Sequence, residues 1–302
     1  MPKTLKFFFV VFFWSLLLAG VVKEEAKIAD IFVPDDLPFV GGLLAHYPLR
    51  SSVKDALNRL NLVYHNKQDY ESFGLRLGGG PSDHLALQDL HKIFKGKQLT
   101  VALWIERPQM DQRVDQYYNV FWDGAPAAPT RPRFSLWHNP KKAIWHHSLA
   151  HGSGYDLPYQ WKRHWAIVST IDSEAQESKM FINGTLNGEF QLKTKDFSPR
   201  TNLYFGRGLA PETGLPAIYG EISLWDRVLT SDEVARLYEH QDKRLSQFIA
   251  VRWSLRALCL LGGIGLVFYI LKMLPIIWPG PFYATKAFIF QHLVQQDTSS
   301  DD

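Results

Sequence analysis

The sequence predicts an all-β sandwich, and its C-terminal half carries the clearest indications. Residues Lys179–Phe190 alternate between apolar and polar side chains on either side of Asn183–Gly184. This residue pair tolerates the left-handed backbone that a two-residue hairpin turn needs. A further segment, Tyr219–Trp225, reads as a strand and is followed by a predicted helix. Thr230 and Glu233 stand three residues apart at the start of that helix, the spacing of a capping box.

Four upstream segments are read as further strands of the same sandwich. They are Leu43–Leu49, Gly74–Gly80, Leu99–Pro108 and Trp161–Asp172. The closing segment carries Gly220, Ile222, Trp225, Arg227 and Leu229, followed by Ser231, Glu233 and Val234. In this order the motifs resemble LamG-like domains of the concanavalin A-like lectin/glucanase superfamily. The resemblance covers roughly residues 40–240 and implies a concanavalin A-like jelly-roll β-sandwich with Trp104, Trp165 and Trp225 in its core.

Two apolar segments lie outside this sandwich. Phe7–Val22 is an unbroken apolar run preceded by Lys3 and Lys6, which is typical of a signal peptide or a signal anchor. We expect an uncleaved anchor, because Leu18–Val22 makes a poor cleavage site. Leu255–Leu271 is just long enough to cross about 30 Å of hydrocarbon. The sequence therefore predicts an N-terminal and a C-terminal transmembrane helix.

The predicted organisation has five parts. They are a signal anchor (1–22), an extended connector (23–42), the sandwich (43–240), a helix continuing into the second span (241–274) and an interfacial amphipathic segment with a tail (275–302). The basic N-terminus predicts that both termini are cytoplasmic and the sandwich is exported. Basic residues between Lys243 and Arg256 oppose this orientation, but the first helix usually decides it.

Small residues recur in both predicted spans, where they let helix backbones approach closely in lipid. They are Ser15, Ala19, Cys259, Gly262 and Gly263. We expect these helices to pack against each other or against helices of a larger complex.

Composition excludes several function classes. The net charge is only +3, without a basic run interleaved with aromatic residues, so nucleic acid is not expected as a partner. The single cysteine leaves the domain without a disulfide. Glycoside hydrolases of this superfamily place paired carboxylates on one strand, whereas Glu221 and Asp226 are five residues apart and face opposite sides of a regular strand. We therefore predict no catalytic residues.

Metal binding has weak support in the sequence. His146, His147 and His151 lie close together, but the first two point to opposite faces of a strand, and a zinc site needs converging ligands. We interpret these histidines as solvated or hydrogen-bonded. No cofactor is expected apart from calcium, which many LamG-like relatives bind, and Asp123 is the only candidate ligand.

An aromatic and polar cluster is the main candidate binding site. It consists of Trp122, Arg131, Arg133, Trp137, Trp145, His151, Tyr155 and Trp161. Aromatic faces flanked by polar groups stack on sugar rings in lectin-like sites and also form hot spots of protein interfaces. Burial in the sandwich core is the alternative for these side chains.

Three functions follow from these patterns. The first is a non-catalytic accessory or scaffold subunit whose sandwich packs on an integral membrane complex, for example a respiratory or photosynthetic one. The second is a surface carbohydrate-binding module, and the third is an atypical glycan-active enzyme. The expected partners are an integral membrane protein complex, the lipid bilayer and, in the second and third functions, a glycan.

Overall fold

The computed structural model describes residues 37–277 apart from 51, 61, 65, 67, 71–73, 81, 107–114, 125–133, 143, 150–152, 159–163, 193–201 and 209–212. The predicted anchor, most of the connector and most of the interfacial segment lie outside the described residues.

The described residues form two antiparallel sheets and two helices, as an all-β sandwich with a closing helix requires. Sheet A contains β1 (Leu43–Tyr47), β3 (Leu75–Leu77), β5 (Gln98–Glu106), β10 (His164–Asp172), β11 (Glu177–Ile182), β12 (Thr185–Gln191) and β14 (Ala217–Trp225). Sheet B contains β2 (Leu62–Tyr64), β4 (Leu85–Leu87), β6 (Tyr118–Gly124), β7 (Phe134–Asn139), β8 (Ile144–Leu149), β9 (Ser153–Pro158) and β13 (Asn202–Phe205). The helices are α1 (Leu90–Ile93) and α2 (Ser231–Ile277).

The strand order shows how the two sheets are connected. Sheet A runs β1-β14-β5-β10-β11-β12, with β3 also paired to β14, and sheet B runs β2-β4-β13-β6-β7-β8-β9. The predicted hairpin between β11 and β12 is present, and Asn183 and Gly184 both have positive φ, at 51° and 79°. Crossovers between the sheets give the two-layer arrangement of a jelly roll.

The main core lies between the inner faces of the two sheets. Its largest side chains include Trp145 from β8 and Trp165 from β10, whose rings meet edge to face with centroids 5.5 Å apart. Tyr219 donates a hydrogen bond from its hydroxyl to the Val120 carbonyl across the core, at 3.0 Å. A fully buried phenol needs such an acceptor. Aromatic side chains from both sheets thus help to fill this space.

A bulge in β14 decides which of its residues face this core. Ala217 and Tyr219 point into the core, and the pairing with β5 then shifts register at Gly220. Beyond the shift, Ile222 and Leu224 point into the core instead of their odd-numbered neighbours. A bulge adds one residue to one strand, so it reverses the alternation that follows.

Helix α2 covers the outer face of sheet A. Up to Ile249, its buried positions recur at helical spacing and are Val234, Leu237, Gln241, Arg244, Leu245 and Phe248. Trp225 and Trp104 are buried in the core, as the sequence predicted, and they lie under the helix and not between the two sheets. The Trp104 ring stacks on Tyr238 with centroids 5.8 Å apart. Val234, Leu237 and Tyr238 of the helix pack against the sheet.

The predicted capping box begins α2. The Thr230 amide donates to the Glu233 carboxylate at 2.9 Å, and the Glu233 amide donates to the Thr230 hydroxyl at 3.2 Å. Arg227 adds two hydrogen bonds to the same carboxylate, at 2.8 and 2.7 Å. This guanidinium lowers the pKa of Glu233 to about 2. The cap therefore ties the helix start to the end of β14.

The two predicted spans have different outcomes. Phe7–Val22 lies outside the described residues, and Leu255–Leu271 lies within α2, which has no break between Ser231 and Ile277. No helix in the described part of the chain is long and apolar enough to cross a membrane. The sandwich belongs to a compact unit that ends at Ile249, and the residues from Ala250 onwards belong to a second unit.

Two histidines of sheet B are buried in the core. His147 accepts or donates a hydrogen bond between its Nε2 and the Ser169 hydroxyl, at 2.8 Å, and joins the two sheets. Burial lowers the pKa of His147 to about 3, and burial lowers that of His138 to about 3 as well. Both imidazoles are therefore neutral in the folded protein at neutral and mildly acidic pH.

We predict that His147 makes the sandwich sensitive to acid. The unfolded chain binds a proton at this residue near pH 6.5, whereas the folded chain resists it down to about pH 3. The free energy of unfolding should fall as the pH drops through this window, by up to about 1.4 kcal/mol per pH unit for each such histidine. In His147→Gln, denaturant titrations between pH 6 and pH 4 should show a slope shallower by about that amount.

His146→Gln is the matched control, since the neighbouring side chain faces outward and is only half-buried. Equal pH slopes for the wild-type protein and His147→Gln would contradict the prediction.

Candidate functional site

The register of β6, β7 and β8 divides the predicted aromatic cluster between two faces of sheet B. Trp137 pairs with His146, and Trp122 pairs with Ser135, so these residues share the outer face. Alternation then directs their neighbours along each strand into the core. The structure therefore brings Trp122 and Trp137 together on one face.

Trp145 does not belong to this face, which corrects its place in the predicted cluster. It pairs with His138, and both side chains are fully buried in the core. The ring centroids of this pair lie 4.6 Å apart. Trp145 directly precedes His146 in β8, so alternation along the strand directs Trp145 to the opposite face, into the core.

The histidines divide in the same way, as the sequence predicted. His147 faces the core, and His146 faces outward, where its ring meets the edge of Tyr117 at a centroid distance of 5.5 Å. Within the described ranges, no group of three or more histidine, cysteine or acidic residues is placed to hold a metal ion. His151 lies outside the described residues.

Asp123, the candidate calcium ligand, is fully buried in β6. Its carboxylate accepts a hydrogen bond from the Phe134 amide at 2.6 Å, across to the first residue of β7. This contact fixes the start of the β6–β7 pairing. The carboxylate thus has a structural role, which the sequence alone did not indicate.

On the outer face of sheet B, the rings of Trp122 and Tyr204 form a buried stack. The ring centroids are 5.0 Å apart with 28° between the planes, and both side chains are at most 3% exposed. Ala86 completes this small cluster, and His84 contacts the Tyr204 ring from one side at 5.7 Å. Trp122 therefore supports the sheet and is not available as a free stacking surface.

Arg207 lies over this stack. Its guanidinium carbon is 5.0 Å from the centroid of Tyr204, at the distance of a cation–π contact. Sequence reasoning missed both Tyr204 and Arg207, and neither belongs to the aromatic and polar cluster that the sequence predicted. The Arg between two glycines was the one signal available in the sequence.

The accessible part of the outer face lies near the β7–β8 turn, and we name it the turn patch: Trp137, His146, Tyr117 and Lys142. Trp137 is partly exposed, and its indole N–H donates to the Ser135 hydroxyl at 2.8 Å. The Lys142 ammonium lies 5.3 Å from the centroid of the Tyr117 ring. The turn patch combines an aromatic surface with nitrogen donors, which is the chemistry that hydroxyl-rich ligands require.

Asp115 holds the turn patch together electrostatically. Its carboxylate accepts a hydrogen bond from the Asn139 amide at 3.0 Å and lies 3.7 Å from the Lys141 ammonium and 3.8 Å from that of Lys142. These contacts lower the pKa of Asp115, with the Asn139 hydrogen bond as the largest cause. The two lysines at the turn are thus already paired with a carboxylate.

The two carboxylates that the sequence analysis considered for hydrolysis, Glu221 and Asp226, do not lie at this patch. Glu221 is buried under α2, where it accepts a hydrogen bond from Gln241 at 2.6 Å and lies 3.5 Å from the Arg244 guanidinium. The Gln241 side chain also accepts a hydrogen bond from the Trp104 indole. Asp226, by contrast, is exposed beyond the end of β14. As the sequence predicted, the two carboxylates do not share a cleft.

His46 and Ser223 extend this buried network without forming a nucleophilic site. The Ser223 hydroxyl and the Glu221 carboxylate both lie near the same ring nitrogen of His46, Nδ1, at 2.9 and 3.8 Å. A catalytic triad needs the acid and the nucleophile on opposite nitrogens of the imidazole. All three side chains are also buried, so we assign the network to packing of the helix on the sheet.

The remaining predicted site residues are not described in atomic detail. Arg131, Arg133 and Trp161 lie outside the described residues, as do Ser15 and Ala19. The backbone of Tyr155 belongs to β9, and the backbones of Cys259 and Gly263 belong to α2. The surroundings of these three residues lie outside what the structure describes. Gly262 has open space where a Cβ atom would stand.

Comparisons with solved structures support the architecture. The sialidase of Trypanosoma rangeli, in complex with 2,3-difluoro-KDN, matches with a TM-score of 0.55 and 14% identity over 76% of this chain and 40% of its own. The receptor-binding domain of botulinum neurotoxin C/D mosaic serotype matches with a TM-score of 0.54 and 10% identity over 67% of this chain and 52% of its own. The binding domain of Paraclostridial mosquitocidal protein 1 matches with a TM-score of 0.54 and 13% identity over 67% of this chain and 52% of its own.

These likenesses establish the fold alone, because the identities are low and the chain spans about half or less of each matched structure. A comparison with curated proteins gives no significant match. In sequence, residues 78–235 match the Laminin_G_3 family, described as the concanavalin A-like lectin/glucanases superfamily. This match covers more than half of the 302 residues, and the chain therefore belongs to the concanavalin A-like lectin/glucanase superfamily.

Proposed function

We propose that the sandwich is a non-catalytic carbohydrate-binding module that uses the turn patch as its binding surface. The single observation that carries this proposal is the cross-strand pair of Trp137 and His146 on the outer face of sheet B, extended by Tyr117 and Lys142. A sugar ring would stack on Trp137, while the ring nitrogens of His146 and the Lys142 ammonium would bond its hydroxyls.

Two further facts support carbohydrate binding. The family contains lectins and glucanases by its description, and the matched sialidase structure contains a sugar-acid analogue. The described carboxylates at β14 do not form the paired arrangement of a retaining glycosidase, since Glu221 is engaged with Gln241 and Asp226 is exposed. These facts favour binding over hydrolysis.

We further propose that the chain is attached to a membrane at both ends, with the sandwich exported and both termini cytoplasmic. Within α2, Trp253 is 65% exposed and Leu261 is 62% exposed, and the Arg256 guanidinium lies 5.7 Å from the Trp253 ring. Tryptophan with a neighbouring arginine is typical of the membrane–water interface. The apolar run Leu255–Leu271 would follow it into the lipid.

A scaffold subunit of an integral membrane complex is the second candidate. The exposed Trp253 and Leu261 favour it, because apolar side chains of this size on a helix also serve as contacts to partner helices. The predicted packing positions Cys259, Gly262 and Gly263 lie on the same helix. This candidate predicts stoichiometric co-migration with other membrane proteins in native electrophoresis after mild detergent extraction, whereas a lone monomer would contradict it.

We predict that Trp137→Ala weakens glycan binding by roughly 3-fold to 10-fold, because an aromatic stacking partner contributes about 0.5–1.5 kcal/mol. The measurement is the dissociation constant of the full-length protein in detergent for whichever glycan binds on an array. Leu186→Ala is the matched control, since Leu186 is an exposed apolar residue on the other sheet. Unchanged affinity in Trp137→Ala would remove the turn patch as the binding surface.

The topology gives a separate prediction. A reporter fused after Asp302 should be cytoplasmic, and a reporter inserted between Gly124 and Pro132 should be exported, because two spans return the chain to its starting side. Protease protection of the two reporters measures this directly. Reporters found on the same side of the membrane would rule out attachment by two spans.

A further inference from the structure

Arg207 has an unusual environment for an arginine on this face. It directly follows β13 and Gly206, is only half-buried, and rests on the Tyr204 ring at 5.0 Å. Among the described residues, no carboxylate or other acceptor is recorded within bonding distance of its guanidinium. An arginine remains charged throughout the physiological pH range, so this position presents a permanent cation with five donor hydrogens.

A second donor beside Tyr204 also lacks an acceptor. The indole Nε1 of Trp122 is buried and makes no hydrogen bond to any residue that the structure describes. Trp122 stacks on Tyr204 at 5.0 Å, so Tyr204 is in contact with both Trp122 and Arg207. Buried donors normally have an acceptor, because an unsatisfied donor destabilises the folded state.

The lysines of the turn patch differ from Arg207 in this respect. Lys141 and Lys142 lie within 3.7 and 3.8 Å of Asp115, so their charges are largely balanced. Arg207 is the described cation on this face without such a balance. Its guanidinium can bind a carboxylate or a sulfate through two parallel hydrogen bonds. A neutral sugar has no anionic group for such a pair of bonds.

The register places Arg207 within reach of a ligand on Trp137. The Gly206 amide donates to the Val120 carbonyl at 2.9 Å, and the adjacent Asn119 pairs with Trp137. Strand β13 is thus two strands away from β7, a distance of about 10 Å at the usual strand spacing. A ligand of more than one sugar ring can bridge Trp137 and Arg207.

We propose that Arg207 selects an acidic saccharide by binding its carboxylate or sulfate group while a neighbouring ring stacks on Trp137. This inference rests on the proposed carbohydrate-binding function and adds the class of ligand. It follows from the unbalanced charge of Arg207 above the Tyr204 ring.

The test uses the full-length protein in detergent on an array of matched glycan pairs. Each pair consists of a neutral oligosaccharide and the same oligosaccharide carrying a sialic acid, a uronate or a sulfate ester. Wild-type protein should bind at least one acidic member 10-fold or more tightly than its neutral parent. The carboxylate and sulfate pairs then identify which anion is bound.

Two substitutions separate charge from shape. Arg207→Gln should lose the preference for the acidic member, by at least 10-fold, and keep the affinity for the neutral parent. Arg207→Lys should recover only part of the preference, because an ammonium lacks the planar pair of donors. Arg236→Gln, at an exposed position of α2, is the matched control and should bind as the wild type does. Thermal unfolding of each variant verifies that the sandwich is intact.

The outcomes distinguish this inference from the function on which it rests. Equal binding of neutral and acidic members, or a preference that persists in Arg207→Gln, would overturn the role of Arg207 and leave carbohydrate binding standing. Binding of no glycan by a folded wild-type protein would overturn both.

Discussion

The burial of sheet A on both faces is the constraint on which the rest of the structure depends. The sandwich core covers one face, and α2 covers the other, so every residue of β14 is buried. Apolar side chains satisfy this easily, but a charged residue such as Glu221 requires hydrogen-bonding partners from the helix. Gln241 and Arg244 supply them, and loss of either would leave a buried carboxylate with fewer compensating contacts.

The same arrangement leaves sheet B as the sheet that carries the proposed binding surface. Because α2 occupies the outer face of sheet A, the sandwich presents its described aromatic surface on the opposite side, at Trp137 and His146. The stack of Trp122 on Tyr204 beneath Arg207 continues this face across two more strands. The buried part of this surface supports the sheet, and its accessible part is where we propose that a ligand binds.

Polar residues that resemble chemical sites prove to be structural in this fold. His46, Ser223 and Glu221 lie close together, but they pack a helix onto a sheet. His147 joins the two sheets through Ser169 in the core. In a protein whose family includes enzymes, burial and geometry decide between catalysis and packing, since a reacting group needs both access and alignment.

The sequence alone determined the features that depend on neighbouring residues. Asn183–Gly184 predicted the hairpin, and Thr230 with Glu233 predicted the start of α2, because a turn or a cap is formed by the backbone around it. The order of the motifs likewise predicted the family.

The tertiary structure decided which way side chains face. The bulge at Gly220 directs Glu221 to the helix, and the register of β7 with β8 separates Trp145 from Trp137. Such choices depend on pairing between distant segments, and one residue of register reverses them, so no local pattern contains the information.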